Sequence, residues 1–281
     1  MEAQSYQARY AVSPAEVQKM NTDELRKHFL IEHVFEEDNV SFVYSHYDRL
    51  IVGGAMPLEQ SLPLSVIDPL KAAYFLERRE LGIINVGGEG YVVVDGQMIN
   101  LHFKEALYIG RGAREIHFSS KDPNIPSKFY FNSAPAHTSY PLKKVTRKEA
   151  EVVETGSVET ANHRVINKLL VNSVVQTCQL QMGMTELKSG SIWNTMPAHV
   201  HDRRMEAYFY FEVPEEQAVC HFMGEPQETR HIWLQNDQAV LSPPWSIHAG
   251  AGTSHYTFIW GMAGENLDYD DMDKWKIVDL K

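Results

Sequence analysis

The chemistry-bearing residues of this chain gather in one stretch, Pro197-Ala198-His199-Val200-His201-Asp202-Arg203-Arg204-Met205-Glu206, and in one distant imidazole, His248. On an extended strand, residues two apart leave the same face, so His199 and His201 present their rings side by side. Glu206 follows, just ahead of the aromatic run Tyr208-Phe209-Tyr210-Phe211. In Pro243-Pro244-Trp245-Ser246-Ile247-His248, two prolines fix the entry of a segment that ends in the third imidazole. Three neutral imidazoles and a carboxylate suit a borderline divalent ion such as zinc, iron, manganese or nickel, with positions left for substrate or water. A His-x-His pair alone says little. Glu206 and the Pro-x-x-x-x-His segment make the set specific.

Short strands must position these residues. The N-terminal segment reads as helical: Ser13-Pro14-Ala15-Glu16 resembles a capping box, and Thr22-Asp23-Glu24 places a cap and two acids before Leu25 and Phe29. From Ser41 the pattern turns to β. Tyr91–Val94 meets Asp95-Gly96, a strong hairpin signal, and Ala106–Ile109 and Glu115–Phe118 read as a strand pair. Gly87-Gly88-Glu89-Gly90 precedes a strand rather than a helix, so it reads as a turn and not as a phosphate cradle. Residues 141–170 read as a connector. Beyond it come strands at Val171–Leu180, Met182–Leu187, Ala207–Val213, Ala218–Met223, Ile232–Leu234, Ala239–Leu241 and Tyr256–Trp260, and then the acidic tail Glu265–Asp273, read as a strap over one barrel. The expected division is a helical segment over 1–40, one β-domain over 41–140, the connector, and a second β-domain over 171–281.

Composition narrows the function. With 281 residues and 43% hydrophobic content the chain can bury two cores, and its 26 basic against 37 acidic residues leave a net charge of −11. That field repels phosphate backbones, so nucleic acid is not an expected partner. The apolar stretches are strand-length, so no membrane span is expected. The two cysteines, Cys178 and Cys220, are read as buried thiols on strands, consistent with a reducing cytoplasm.

The ligand set matches the two-part cupin signature, although the surrounding turn residues diverge. Trp193, Val213 and Trp245 stand where glycines are usual, and Gly252 where an asparagine is usual. The strings FLERRELGIINVGG, NTMPAHVHDRRMEAYFYF, PQETRHIW and SPPWSIHAG, then TFIWGMAGEN, resemble the 5-keto-4-deoxyuronate isomerase family from about Phe29 to Leu280. That resemblance implies an all-β bicupin, two jelly-roll barrels with a short helical N-terminal segment. It implies one zinc ion per chain, in the second barrel, on His199, His201, Glu206 and His248. It also implies a homohexamer acting on a small anionic sugar acid in pectin and uronate breakdown.

The implied reaction is an aldose–ketose isomerisation. A carbonyl moves from C1 of the 5-keto aldehyde acid to C2, through an enediolate stabilised by the metal, giving 3-deoxy-D-glycero-2,5-hexodiulosonate. The residues do not name the group that moves the proton. Tyr208 and His231 are candidates for it, and a hydride shift is the alternative. Arg203 or Arg204 are candidates for the substrate carboxylate, since arginine suits bidentate contact. Glu77-Arg78-Arg79-Glu80 reads as a structural or interface charge cluster. His117 and His137 lack a His-x-His partner, so the first barrel is expected to bind no metal and to serve in packing or assembly. Three other readings use the same ligands: an iron-dependent cupin dioxygenase, a 5-deoxyglucuronate isomerase, and a non-catalytic sugar-binding cupin.

Overall fold

A computed structural model describes residues 4–281, and the chain divides into two compact units. The first comprises 4–8, 33–150 and 169–181; the second comprises 9–32, 151–168 and 182–281. The N-terminal helices therefore belong to the second unit. Asn21, one residue before the expected cap, caps the longer helix, Thr22–Phe29; its side chain accepts from the Glu24 N–H while Glu24 reaches back.

In the first unit a seven-stranded antiparallel sheet runs in the order Gln7–Arg9, Val40–Ser45, Ile51–Ala55, Phe129–Pro135, Arg79–Asn85, Ala106–Ile109, Lys143–Val145. A four-stranded sheet runs Leu62–Pro63, Ile116–Ser120, Gly90–Val94, Gln97–Leu101. Phe42, Phe118, Phe129 and Phe131 fill the space between these sheets. Each buried ring contributes about 1.5–3 kcal/mol by leaving water. The Asp95-Gly96 turn forms as expected, with both residues at positive φ. Ala106–Ile109 and Ile116–Ser120 do not pair with each other: the first joins Arg79–Asn85 in the large sheet, the second joins Gly90–Val94 in the small one. A jelly roll sends successive strands to opposite sheets, which local patterning does not reveal.

The second unit repeats this plan. Its seven-stranded sheet runs Glu151–Thr155, Arg164–Leu170, Gln181–Leu187, Thr257–Gly264, Arg204–Phe211, Gln238–Ser242, Leu30–Ile31. Its four-stranded sheet runs Trp193–Asn194, Ala249–Gly252, Val219–Glu225, Glu228–Leu234. So much of the expected connector is sheet: Glu151–Thr155 and Arg164–Leu170 pair along their length.

The segment 171–180 is not a strand. Its last residues are held by Glu80, a buried carboxylate that accepts the N–H groups of Cys178, Gln179 and Leu180 at 2.7–2.8 Å and the Tyr108 hydroxyl at 2.8 Å. Cys178 is thus buried in a loop, whereas Cys220 lies on Val219–Glu225. The strand Arg79–Asn85 and its counterpart Arg204–Phe211 both open on a buried arginine preceded by an exposed one. Arg79 donates to the carbonyls of Arg49 and Ser133; Arg204 donates to those of Asp268 and Tyr269. Neither arginine is a free surface charge where it starts its strand.

Candidate metal centre

Four elements of the second unit converge on one point. His199 lies on the short strand His199–Val200, which pairs with Asp273–Lys274 of the tail. His201 follows it, with its backbone N–H on the Pro244 carbonyl at 3.2 Å, so the two ligand segments are tied together. Glu206 projects from the central strand Arg204–Phe211. His248 ends a loop that Ser246 pins: its N–H bonds the Pro243 carbonyl and its hydroxyl accepts the Gly224 N–H, both at 2.9 Å.

All four side chains are buried, and their ligand atoms lie within 4.8 Å of one another. The His199 Nε2 is 3.1 Å from the His201 Nε2 and 3.0 Å from the His248 Nε2. The Glu206 Oε1 lies 2.7 Å from the His201 Nε2 and 3.5 Å from the His248 Nε2. The His201 Nδ1 donates to the Asp271 carbonyl, which leaves the Nε2 of a neutral ring as a lone pair. That lone pair faces a carboxylate oxygen and another imidazole. Three imidazoles and a carboxylate closing on one buried point fit a cation.

Burial pushes the His199 ring down to about 2 and the His248 ring down to about 4, so both are neutral ligands at ordinary pH. Burial alone would raise the Glu206 carboxyl, but the neighbouring His248, His201 and His199 hold it below the usual carboxylate range.

A cavity of about 400 Å³ opens beside the cluster. Of the expected residues, Arg204 and Tyr208 line it. Arg203 is exposed and outside the wall, and His231 is exposed on Glu228–Leu234 in the small sheet. The terminal nitrogens of Arg204 are engaged by the Asp268 and Tyr269 carbonyls at 2.6 and 3.0 Å, so this arginine clamps the tail. The tail does act as a strap: Tyr269, Met272 and Lys274 form part of the cavity wall. The Tyr208 hydroxyl shares a 2.9 Å hydrogen bond with that of Thr195, and burial pushes it well above its ordinary value. Residue patterning missed Arg164, Thr195 and Lys274. Arg164 opens a strand in the supposed connector, and its only local signal is a cation at the head of an alternating run.

A seven-stranded sheet paired with a four-stranded one is the barrel of a cupin, here holding three imidazoles and a carboxylate in the second unit, and two units of that sheet plan in one chain make a bicupin. The chain belongs to the KduI/IolB family, whose family model matches residues 29–278.

It is 62% identical over 276 residues to the 4-deoxy-L-threo-5-hexosulose-uronate ketol-isomerase of Formosa agariphila, covering 98% of this chain and 99% of that one. It is 53% identical over 277 residues to the enzyme of the same name from Dickeya dadantii, covering 98% and 100%. In fold it is similar to an IolB-like protein of Salmonella typhimurium, with a TM-score of 0.71, 16% identity and coverage of 88% and 96%. It also resembles the Bacillus subtilis oxalate decarboxylase, whose structure concerns Mn(II) centres, with a TM-score of 0.54, 9% identity and coverage of 78% and 70%. Among the described residues, no helix is long and apolar enough to cross a membrane.

Proposed function

We propose that this chain is an aldose–ketose isomerase that converts 4-deoxy-L-threo-5-hexosulose uronate to 3-deoxy-D-glycero-2,5-hexodiulosonate. The observation that carries this reading is the convergence of His199, His201, Glu206 and His248 beside a cavity of sugar-acid size. Full-length relatives bearing that ketol-isomerase name support it. The four residues would hold one divalent ion, and three imidazoles with a carboxylate suit zinc. When bound, the ion supplies Lewis-acid polarisation of the substrate's carbonyl and adjacent hydroxyl oxygens.

The chain's own residues orient a ligand, serve the oxygen-to-oxygen proton transfer and shape the wall. The His201 Nδ1–H on the Asp271 carbonyl fixes that ring's tautomer and orientation. Isomerisation moves one proton from C2 to C1 and another between O2 and O1. Tyr208 stays protonated, and its hydroxyl with that of Thr195 forms a donor–acceptor pair suited to the oxygen-to-oxygen transfer. Phe258, Trp260 and Met262 give that wall apolar surface beside the ligands.

The resemblance also supports pectin-derived uronates as the substrate source, a homohexamer and a cytoplasmic location. We read the first unit as serving packing or assembly, supported by its phenylalanine-rich interior. The test is conversion of the keto-uronate released by an unsaturated-uronyl hydrolase, followed by NMR. No product from metal-loaded protein, or undiminished conversion after chelation and in His248→Ala, overturns the reading.

A further inference from the structure

An anionic substrate entering a chain of net charge −11 needs a local cation, and the residues that would hold the ion form only part of the cavity wall. Arg204, the arginine nearest the ligands in sequence, has its terminal nitrogens committed to the strap. Two other cations line the cavity, Arg164 and Lys274.

Arg164 is half-buried, and its one hydrogen bond runs from Nη1 to the Asn162 carbonyl at 2.8 Å. A guanidinium has five N–H donors, so most of its fork is unused. No carboxylate lies within 4.0 Å of it among the described residues. A charge withdrawn from water without a counter-charge is costly, and an arriving anion relieves that cost.

We infer that Arg164 is the carboxylate-binding residue of this cavity, receiving the acid group of a uronate whose carbonyl end faces the three-histidine cluster, with Lys274 adding positive charge at the same cavity. This rests on the isomerase reading for the identity of the substrate, though not for the anion subsite itself. The fork geometry of Arg164 suits a planar carboxylate, which a neutral sugar of the same size lacks.

The experiment uses the full-length metal-loaded protein, with Arg164→Ala and Arg164→Lys beside it. Metal content is measured by elemental analysis. Binding of D-galacturonate and of D-galactose is measured by calorimetry, and KM and kcat are measured for the keto-uronate. In Arg164→Ala, galacturonate binding is expected to weaken and KM to rise by about 10- to 100-fold, the loss of a charge-assisted contact. Binding of galactose, kcat and metal content should change far less, and lysine should restore part of the loss.

Uronate binding and KM that match the unsubstituted protein in Arg164→Ala overturn the proposal, as does equal weakening of galactose and galacturonate. If the unsubstituted protein converts no keto-uronate yet loses galacturonate binding on Arg164→Ala, the isomerase reading falls and the anion subsite stands. If it converts keto-uronate with a KM indifferent to Arg164, the reverse holds.

Discussion

The Nε2 atoms of His199 and His248 stand 3.0 Å apart, although 49 positions separate the two residues. Burial keeps both rings neutral, so neither offers the other a charge. Their approach costs desolvation that only a shared cation recovers in full. Removing one ring should therefore release the ion rather than merely weaken it. His248→Ala is expected to lose stoichiometric metal and to cut isomerase activity at least about 100-fold, while far-UV circular dichroism keeps its β signature. Retained metal with retained activity would show that the cluster is structural.

Acid should destabilise the second unit for a reason apart from ligation. His221 is fully buried, its Nδ1 receives the Tyr210 hydroxyl at 2.7 Å, and burial, then His248, pushes the ring down to about 3. An unfolded chain protonates this ring below about pH 6.5, whereas the folded one does not until about pH 3. The unfolded state thus binds more protons throughout that window, so stability falls as pH falls from 6.5 toward 3, by up to about 1.4 kcal/mol per pH unit. Urea titrations of metal-free protein at pH 7, 6 and 5 should show this slope. His221→Leu should be less stable at pH 7, because the Tyr210 hydroxyl loses its acceptor, yet show a shallower slope. An unchanged slope refutes the assignment.

Arg204 should govern the strap. Replacing it with methionine keeps most of the stem and removes two charged donors from the Asp268 and Tyr269 carbonyls, each bond worth about 1.5–3 kcal/mol. Hydrogen exchange across 266–274 is expected to quicken at least about 10-fold, and the lost orientation of His201 through Asp271 should lower metal affinity. Exchange that stays at the parent rate would mean that the pairing of His199–Val200 with Asp273–Lys274 holds the strap alone.

Behind the cavity wall, the packing against Trp260 has no room for a methyl group at Gly183. A Cβ there would meet the Trp260 ring at 2.1 Å and the Asn167 carbonyl at 2.6 Å. Gly183→Ala should therefore displace the indole, cost about 1–3 kcal/mol and raise KM. Parent-like values for both Tm and KM would count against this packing.

The three histidines and Glu206 were legible in the chain because each sits in a short, chemically unusual segment whose residue types are those a metal requires. The Asp95-Gly96 hairpin was legible for a similar reason, since its backbone demands are local. Strand pairing was not. Ala106–Ile109 and Ile116–Ser120 alternate well enough to be neighbours, but alternation encodes which face is buried and not which strand lies alongside. The run 171–180 has the composition of a strand, yet the buried Glu80 captures three of its N–H groups and bends it away from a ladder.

Residue types and spacing by themselves thus pointed to the β class and to the four residues that the structure brings together. Only the tertiary structure decided which cation faces the cavity. Arg203 and Arg204 are adjacent in the chain, but one is exposed and the other is bound to the strap, while Arg164, far off in sequence, opens a strand that delivers it to the cavity wall. A jelly roll is built from long-range pairings, so what a side chain meets inside the barrel is set by strands distant in the chain, and no local pattern records it.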